Sequence, residues 1–276
     1  MKPVSLTEFD RIYQDVVDSA LSVWQPAMQG EIAAHCAPWE QNRYDLETYL
    51  RRSVVRYYPA YTGAMRSSST GQRICEIGGF LGVYPLTMAR LGFDVTMTET
   101  LSFYDDQFID YYNTIEKRGV RIIDFDPFSP KSEINEKFDF VSVMCLLEHY
   151  PHSLKIAMGN IISLLKPGGS VHIEVPNIAY FPKRMAFLSG RSPLVPIEDI
   201  YQSKIPYIGH HHEFTLSELR KLASLANLEI ERELSYNCSI DTGTLGYMLK
   251  KPLEYLAYSL VPATRECLAI TCRREA

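Results

Sequence analysis

An acidic residue followed by closely spaced glycines marks the part of the chain best suited to bind a ligand. Residues 74–82 read Ile-Cys-Glu-Ile-Gly-Gly-Phe-Leu-Gly. The apolar residues around Glu76 predict a strand end. Gly78, Gly79 and Gly82 predict a tight turn into a helix, because glycine permits positive φ and close backbone approach. Such a turn can cradle a cofactor, and it also occurs as a purely structural connection.

A second acidic residue, Glu99, lies where a residue that binds the ribose of a cofactor is expected. Glu99 ends an alternating stretch, Phe93 to Thr98, that predicts a strand. It follows Gly78 by about 20 positions, the spacing at which a carboxylate holds sugar hydroxyls in doubly wound nucleotide-binding domains. Thr100 lies at the same strand end. The alternative for Glu99 is a solvated acid that closes a strand.

Two further acids follow the predicted third strand, Val120 to Phe125. Asp124 and Asp126 lie at its carboxyl end, and open α/β sheets bind ligands outside the carboxyl ends of their strands. Acids at successive strand ends therefore indicate a nucleoside ligand, with Asp126 as the favoured contact to adenine. Either acid could instead cap the turn before Pro127.

Four histidines can converge near the same strand ends. His149 follows the fourth predicted strand, and His210, His211 and His212 precede a predicted helix. Imidazole acts as a general base near neutral pH or as a metal ligand. We expect His211 or His212 to be the base ahead of His149, with Glu213 to orient an imidazole. Structural hydrogen bonding is the remaining alternative.

The elements that position these residues alternate between strand and helix. A continuous apolar run, Phe138 to Cys145, predicts a fourth strand buried on both faces. A helical pattern after Ser153 is expected to stop at Pro167-Gly168-Gly169, ahead of a fifth strand from Ser170 to Val175. This alternation predicts an α/β domain.

Residues 1–70 are expected to form an N-terminal helical segment that packs on the core or caps the substrate site. Apolar residues recur at helical spacing from Leu6 to Trp24 and again from Asp45 to Tyr58. A small polar loop follows, so we place the main domain at residues 71–276.

Two insertions interrupt the second half of the chain. Residues 177–213 are too long for a plain connection, and loops of this length are usually functional. Thr215 and Glu218 form a capping box that opens a helix. Residues 235–265 are expected to hold an amphipathic helix from about Gly246 to Val261.

The order of these motifs resembles the class I S-adenosylmethionine-dependent methyltransferases of small-molecule type. The first motif of that family is acid-x-Gly-x-Gly-x-Gly. Glu76, Gly78 and Gly82 match this motif, while Phe80 occupies the position of its middle glycine. Phe-Asp before an apolar strand, Glu-His after it, and Leu-Lys-Pro-Gly-Gly before the next strand follow in the family's order.

The resemblance implies a Rossmann-like methyltransferase fold, a doubly wound, mostly parallel seven-stranded sheet with substrate-side insertions. It implies S-adenosyl-L-methionine as cofactor and methyl transfer to an oxygen or nitrogen of a small-molecule acceptor. The expected cofactor contacts are Glu76, Gly78, Gly79, Phe80, Gly82, Glu99, Thr100, Asp124, Asp126, Cys145 and Leu146.

Two other functions are kept as alternatives. Some family members hold a metal with a Glu-x-x-Glu-His cluster and a distant histidine. Here Glu148 and His149 match and Cys145 replaces the first glutamate, so we predict no metal, and metal-assisted O-methyl transfer that also uses residues 210–212 stays an alternative. The bulk of Phe80 motivates the other alternative, a non-catalytic binding module.

Composition limits the partners. The net charge of -5 and a pI near 5.8 provide no basic excess for an extended nucleic acid. The six cysteines form no Cys-x-x-Cys pair, which indicates a reducing compartment. No apolar run is long enough to insert in a membrane. We therefore expect a cytoplasmic protein, and the sequence does not predict its oligomeric state.

Overall fold

The computed structural model describes residues 2–23, 45–66, 72–104, 106–131, 133–150, 153–203, 209–240 and 244–275. The strands are β1 (Arg73–Ile77), β2 (Asp94–Glu99), β3 (Val120–Asp124), β4 (Phe138–Met144), β5 (Leu165–Pro176), β6 (Leu228–Tyr236) and β7 (Cys267–Arg274). The helices are α1 (Leu6–Val23), α2 (Leu46–Arg52), α3 (Val54–Arg66), α4 (Val83–Arg90), α5 (Asp106–Glu116), α6 (Leu154–Ser163), α7 (Phe181–Leu188), α8 (Ile197–Gln202), α9 (Leu216–Leu225), α10 (Leu245–Lys250) and α11 (Pro252–Leu260).

The seven strands form one sheet in the order β3-β2-β1-β4-β5-β7-β6. All neighbours are parallel except β7, which runs antiparallel to β5 and to β6. The chain proceeds outward from β1 through β2 to β3 on one side. On the other side it proceeds from β4 to β5, continues to the edge strand β6, and returns to place β7 between β5 and β6. A crevice therefore opens between the carboxyl ends of β1 and β4, where doubly wound folds bind ligands. The predicted fold class is confirmed.

Apolar side chains cover both faces of the sheet. One core cluster joins Phe9 and Tyr13 of α1 to Tyr84 of α4 and Met97 of β2. The other cluster lies under α6 and α9. Phe9 and Tyr13 are fully buried, so the first helix is part of the core. No helix in the described ranges is both long enough and apolar enough to span a membrane.

Prolines and glycines account for the main differences from the predicted elements. The single helix predicted from Asp45 to Tyr58 is divided at Ser53 into α2 and α3. The second of these continues through Pro59 to Arg66, because Ala60 and Tyr61 are buried against the core. Pro167-Gly168-Gly169 lies inside β5 and does not end a helix. The pairing of β4 with β5 shifts register there, and Gly168 has φ +74°.

The two insertions are largely helical. Residues 177–213, predicted as an extended loop, contain α7 and α8. The single helix predicted over 246–261 is divided into α10 and α11, since Pro252 begins a new helix. The capping box of Thr215 and Glu218 is present. Residues 24–44 and 67–71, which include the predicted boundary near residue 70, lie outside the described ranges.

Candidate active site

The glycine turn connects β1 to α4 with alternating left-handed residues. Gly78 and Gly82 have φ of +70° and +64°, and Phe80 between them has φ +52°. A Cβ on Gly79 would lie 2.5 Å from Cγ of Met97, so any side chain there would force Met97 to move. Phe80 retains the backbone conformation that glycine adopts easily, and its ring packs against the core cluster under α4. Left-handed backbone costs such a residue about 1 kcal/mol.

Glu99 lies beside this turn at the end of β2. Glu99 is buried, with only 6% of its surface exposed. One carboxylate oxygen accepts the backbone N–H of Phe80, and the other accepts the hydroxyl of Tyr104 at 2.9 Å. Burial raises the pKa of Glu99 to about 7. Each oxygen of a carboxylate accepts two hydrogen bonds, so each retains one lone pair for a further donor.

The other predicted acids lie at the end of β3. Asp124 pairs in register with Glu99, is exposed, and accepts the N–H of Leu101 at 3.0 Å. Asp126 accepts the N–H of Phe128 at 2.9 Å, which is the turn-capping role considered above. Thr100 is half-buried next to Glu99.

The end of β4 forms the opposite wall of the crevice. Cys145 has φ +49° and its N–H donates to the carbonyl of Glu174 at 3.0 Å. A Cβ on Gly78 would lie 3.4 Å from a methyl group of Leu146. Leu146 therefore lies close to the glycine turn, and a Cβ at position 78 would be in ordinary van der Waals contact with it.

A buried polar cluster that sequence reasoning missed lies beneath the crevice. Arg56 of α3 donates to Glu174 of β5 at 2.9 Å and to the hydroxyl of Tyr49 at 2.9 Å. Glu76 accepts the hydroxyl of Ser142, and burial raises the pKa of Glu76 well above its usual value. The one signal was a charged residue, Glu174, inside an otherwise apolar strand. This cluster attaches the N-terminal helices to the carboxyl edge of the sheet.

Glu148 follows β4 and is fully buried. Neither of its carboxylate oxygens makes a hydrogen bond of ordinary geometry within the described part of the chain, and burial raises its pKa to about 7. Nε2 of His149 lies 4.0 Å from this carboxylate, and the ring of His210 contacts that of His149 edge-on. One ligand atom from each of the three residues lies within 4.8 Å of the others.

Glu213 orients His210. Its carboxylate lies 3.0 Å from Nδ1 of His210 and also pairs with Lys183. Burial opposes the charged form of His210, but the hydrogen bond with Glu213 and the charge of Glu148 outweigh it and raise the pKa of His210.

The two histidines favoured from sequence lie farther out. His211 and His212 are exposed, and their backbone N–H groups donate to the carbonyl of Glu148 at 2.7 and 3.3 Å. Nε2 of His212 lies 3.3 Å from Glu218 of the capping box. The structure thus brings His210 next to His149, and no contact with a reacting group distinguishes His211 or His212. Their predicted role as base stays a prediction.

Solved structures of methyltransferases share this fold. The N-methyltransferase NodS from Bradyrhizobium japonicum WM9, in complex with S-adenosyl-L-homocysteine, matches 91% of this chain and 98% of its own with 14% identity and a TM-score of 0.52. A putative sarcosine dimethylglycine methyltransferase from Galdieria sulphuraria matches 84% of this chain and 91% of its own with 13% identity and a TM-score of 0.53.

A third similar structure is phosphoethanolamine N-methyltransferase 2 from Haemonchus contortus in complex with S-adenosyl-L-methionine. The superposition covers 79% of this chain and 52% of the Haemonchus chain, with 14% identity and a TM-score of 0.53. A search of curated proteins finds no match. The protein-family model described as a methyltransferase domain matches residues 43–233. That range is more than half of the chain, and the protein therefore belongs to the methyltransferase-domain family, as its motifs predicted.

Proposed function

We propose that this protein transfers a methyl group from S-adenosylmethionine to an oxygen or nitrogen of a small-molecule acceptor. The observation that carries the proposal is the glycine turn of residues 78–82 beside the shielded carboxylate of Glu99, at the point where the strand order reverses. These residues are compatible with a nucleoside, because Glu99 has one lone pair left on each oxygen.

Each residue of the crevice has a distinct role in this proposal. Glu99 accepts the ribose hydroxyls, Leu146 offers an apolar wall, and Asp124 is available at the neighbouring strand end. The bound cofactor supplies an electrophilic methyl group on its sulfonium. The protein aligns the acceptor with this methyl group and excludes water from the site. These are the main requirements for catalysis of an in-line displacement.

His149 is the proposed base. Its side chain is about one-third exposed while Glu148 behind it is fully buried, so His149 can reach an acceptor and Glu148 can stabilise the protonated ring. Positioned bases contribute about 10²- to 10⁴-fold to such reactions. His149 is thus placed ahead of His211 and His212, which lie at the solvent edge.

A cavity of about 280 Å³ is the proposed acceptor site. It is lined by Val55 of α3, by Tyr236 at the end of β6 and Asn237 after it, and by Tyr255 of α11. The hydroxyl of Tyr236 is buried and has no hydrogen-bond partner among the described residues. The cavity size and its mixture of aromatic and polar groups suit a small molecule. The N-terminal segment and the 235–265 insertion would then both enclose the acceptor.

Calorimetric titration tests the proposal. S-adenosylmethionine and S-adenosylhomocysteine should each bind once per chain, and radiolabelled methyl groups should be transferred to a component of a metabolite extract. If neither nucleoside binds at millimolar concentration, the proposal is wrong. Binding without transfer to any extract would support the non-catalytic alternative instead.

Metal-assisted transfer is the second candidate, favoured by the buried carboxylate of Glu148, whose oxygens make no hydrogen bond of ordinary geometry within the described residues. Glu148, His149 and His210 would hold a divalent cation, and Glu213 would orient His210 as second-sphere carboxylates orient ligating histidines. Such a cation would supply Lewis-acid polarisation of an acceptor hydroxyl. Metal analysis of protein purified without chelator, compared with the His210→Gln variant, distinguishes the two candidates.

A further inference from the structure

Two helices of the second insertion present a row of exposed leucines. Leu245 and Leu249 are four residues apart on α10, and Leu253, Leu256 and Leu260 recur at three and four residues on α11. All five are more than half exposed. The other side of α11 is anchored, because Tyr258 is buried and stacks on Tyr180 of the first insertion. Both helices therefore leave their leucines uncovered.

The first insertion extends this apolar surface. Phe187 and Leu188 at the end of α7 are exposed, as are Ile197 and Tyr201 of α8. The two insertions touch through α7 and α11. Most of the large exposed apolar side chains in the described ranges come from these insertions. An uncovered apolar surface of this extent marks an interaction site.

An apolar groove opens within the first insertion. Its volume is about 470 Å³, and it is lined by Ile178, Phe187, Leu188 and Pro193, with Lys183 and Arg184 beside them. Lys183 pairs with Glu213, so Arg184 provides the positive charge beside the groove. An apolar groove with such a cation beside it matches an acyl chain that carries an anionic headgroup.

The charge of the insertions differs in sign from that of the remaining chain. Residues 177–213 and 235–265 together hold seven basic and five acidic residues, whereas the rest holds 21 basic and 28 acidic residues. Lys250 and Lys251 lie between the leucines of α10 and those of α11. Leucines on one side with lysines and tyrosines at the margin are typical of helices that lie in the plane of a bilayer interface.

We infer that the two insertions form a docking surface for an anionic lipid bilayer, with the leucines of α10 and α11 entering the headgroup region. These helices would hold the protein at the surface of the bilayer, with their axes in the plane of the interface. The inference goes beyond methyl transfer and does not depend on it, because docking requires neither cofactor nor acceptor.

Vesicle co-sedimentation tests the inference on the full chain without cofactor. Vesicles of phosphatidylcholine with about one-third phosphatidylglycerol should bind the protein, and pure phosphatidylcholine vesicles should bind it more weakly, because basic residues near an anionic surface add attraction. The double variant Leu249→Gln/Leu253→Gln should bind about tenfold or more weakly. The matched control Leu6→Gln/Leu225→Gln, which changes exposed leucines outside the insertions, should bind like the unaltered protein.

Three results would overturn the inference. The unaltered protein could fail to bind either vesicle, or the control pair could weaken binding as much as the leucine pair. Sedimentation velocity could instead show a dimer that Leu249→Gln/Leu253→Gln dissociates, which would assign the surface to a second copy of the chain. Calorimetric binding of S-adenosylhomocysteine by the same samples shows whether the methyltransferase proposal stands independently.

Discussion

Replacing Glu99 with glutamine should weaken cofactor binding and stabilise the unliganded protein at the same time. Glutamine keeps the shape of the side chain and one oxygen that can accept the N–H of Phe80. It removes the charge from a residue that is only 6% exposed. The two effects have opposite signs because the negative charge strengthens ligand binding but destabilises the unliganded folded protein.

The effect on stability follows from the raised pKa. Burial raises the pKa of Glu99 from 4.5 to about 7. Between these values the folded protein retains a proton that the unfolded chain has released. The cost of the buried charge is therefore absent below about pH 4.5 and complete above about pH 7. This difference in pKa corresponds to about 3 kcal/mol of destabilisation at pH 8. That value is the upper limit of the stability that Glu99→Gln should add at that pH.

The effect on binding follows from the hydrogen bonds that a charged acceptor makes. Such bonds contribute about 1.5 to 3 kcal/mol, so Glu99→Gln should raise the Kd for S-adenosylhomocysteine by about 10- to 150-fold. In the unaltered protein the affinity should also fall as the pH drops below about 7, where Glu99 becomes protonated. In Glu99→Gln that pH dependence should disappear.

Calorimetry between pH 5.5 and 8.5 and urea unfolding at pH 8 measure both effects. A variant that binds S-adenosylhomocysteine as tightly as the unaltered protein at pH 8 would refute the assignment of Glu99 to the ribose. A variant that is less stable at pH 8 would refute the account of its buried charge.

The remaining predictions concern the fold and the base. Arg56→Met should lower the free energy of unfolding by about 3 to 5 kcal/mol, because it leaves Glu174 buried and unpaired; a loss below about 1 kcal/mol in urea unfolding would contradict this. Gly79→Ala should destabilise by about 1 to 3 kcal/mol through its clash with β2, whereas the matched control Gly159→Ala, with open space inside α6, should stabilise by up to about 1 kcal/mol; equal melting temperatures would contradict the packing of the turn. His149→Gln should lower kcat about 10²-fold or more with an unchanged Kd for S-adenosylhomocysteine, and an unchanged kcat in labelled methyl transfer would exclude it as the base.

The core of the fold was predictable because its signals are local. Glu76 and the glycines after it, and the alternation that ends at Glu99, are determined within short stretches, and the strands they predicted are present. Pro59 and Pro167 misled the prediction. Both residues break hydrogen-bonded ladders in isolation, but burial of Tyr61 and the shifted register of β5 accommodate them.

The arrangement of the site was less predictable because it depends on contacts between distant segments. The sequence contains three consecutive histidines, and only the fold brings His210 against His149 while His212 meets Glu218. The pairing of Arg56 with Glu174 joins residues 118 positions apart. The charge of Glu174 among apolar strand residues was a signal of a buried partner, but no pattern within either stretch identifies Arg56 as that partner.

A crystal structure of the complex with S-adenosylhomocysteine tests the central claim most directly. The ribose hydroxyls should lie within hydrogen-bonding distance of the Glu99 carboxylate, with the nucleoside beside the glycine turn and the sulfur facing His149. A nucleoside bound elsewhere, or a Phe80 side chain that fills the crevice in place of the ligand, would contradict the account.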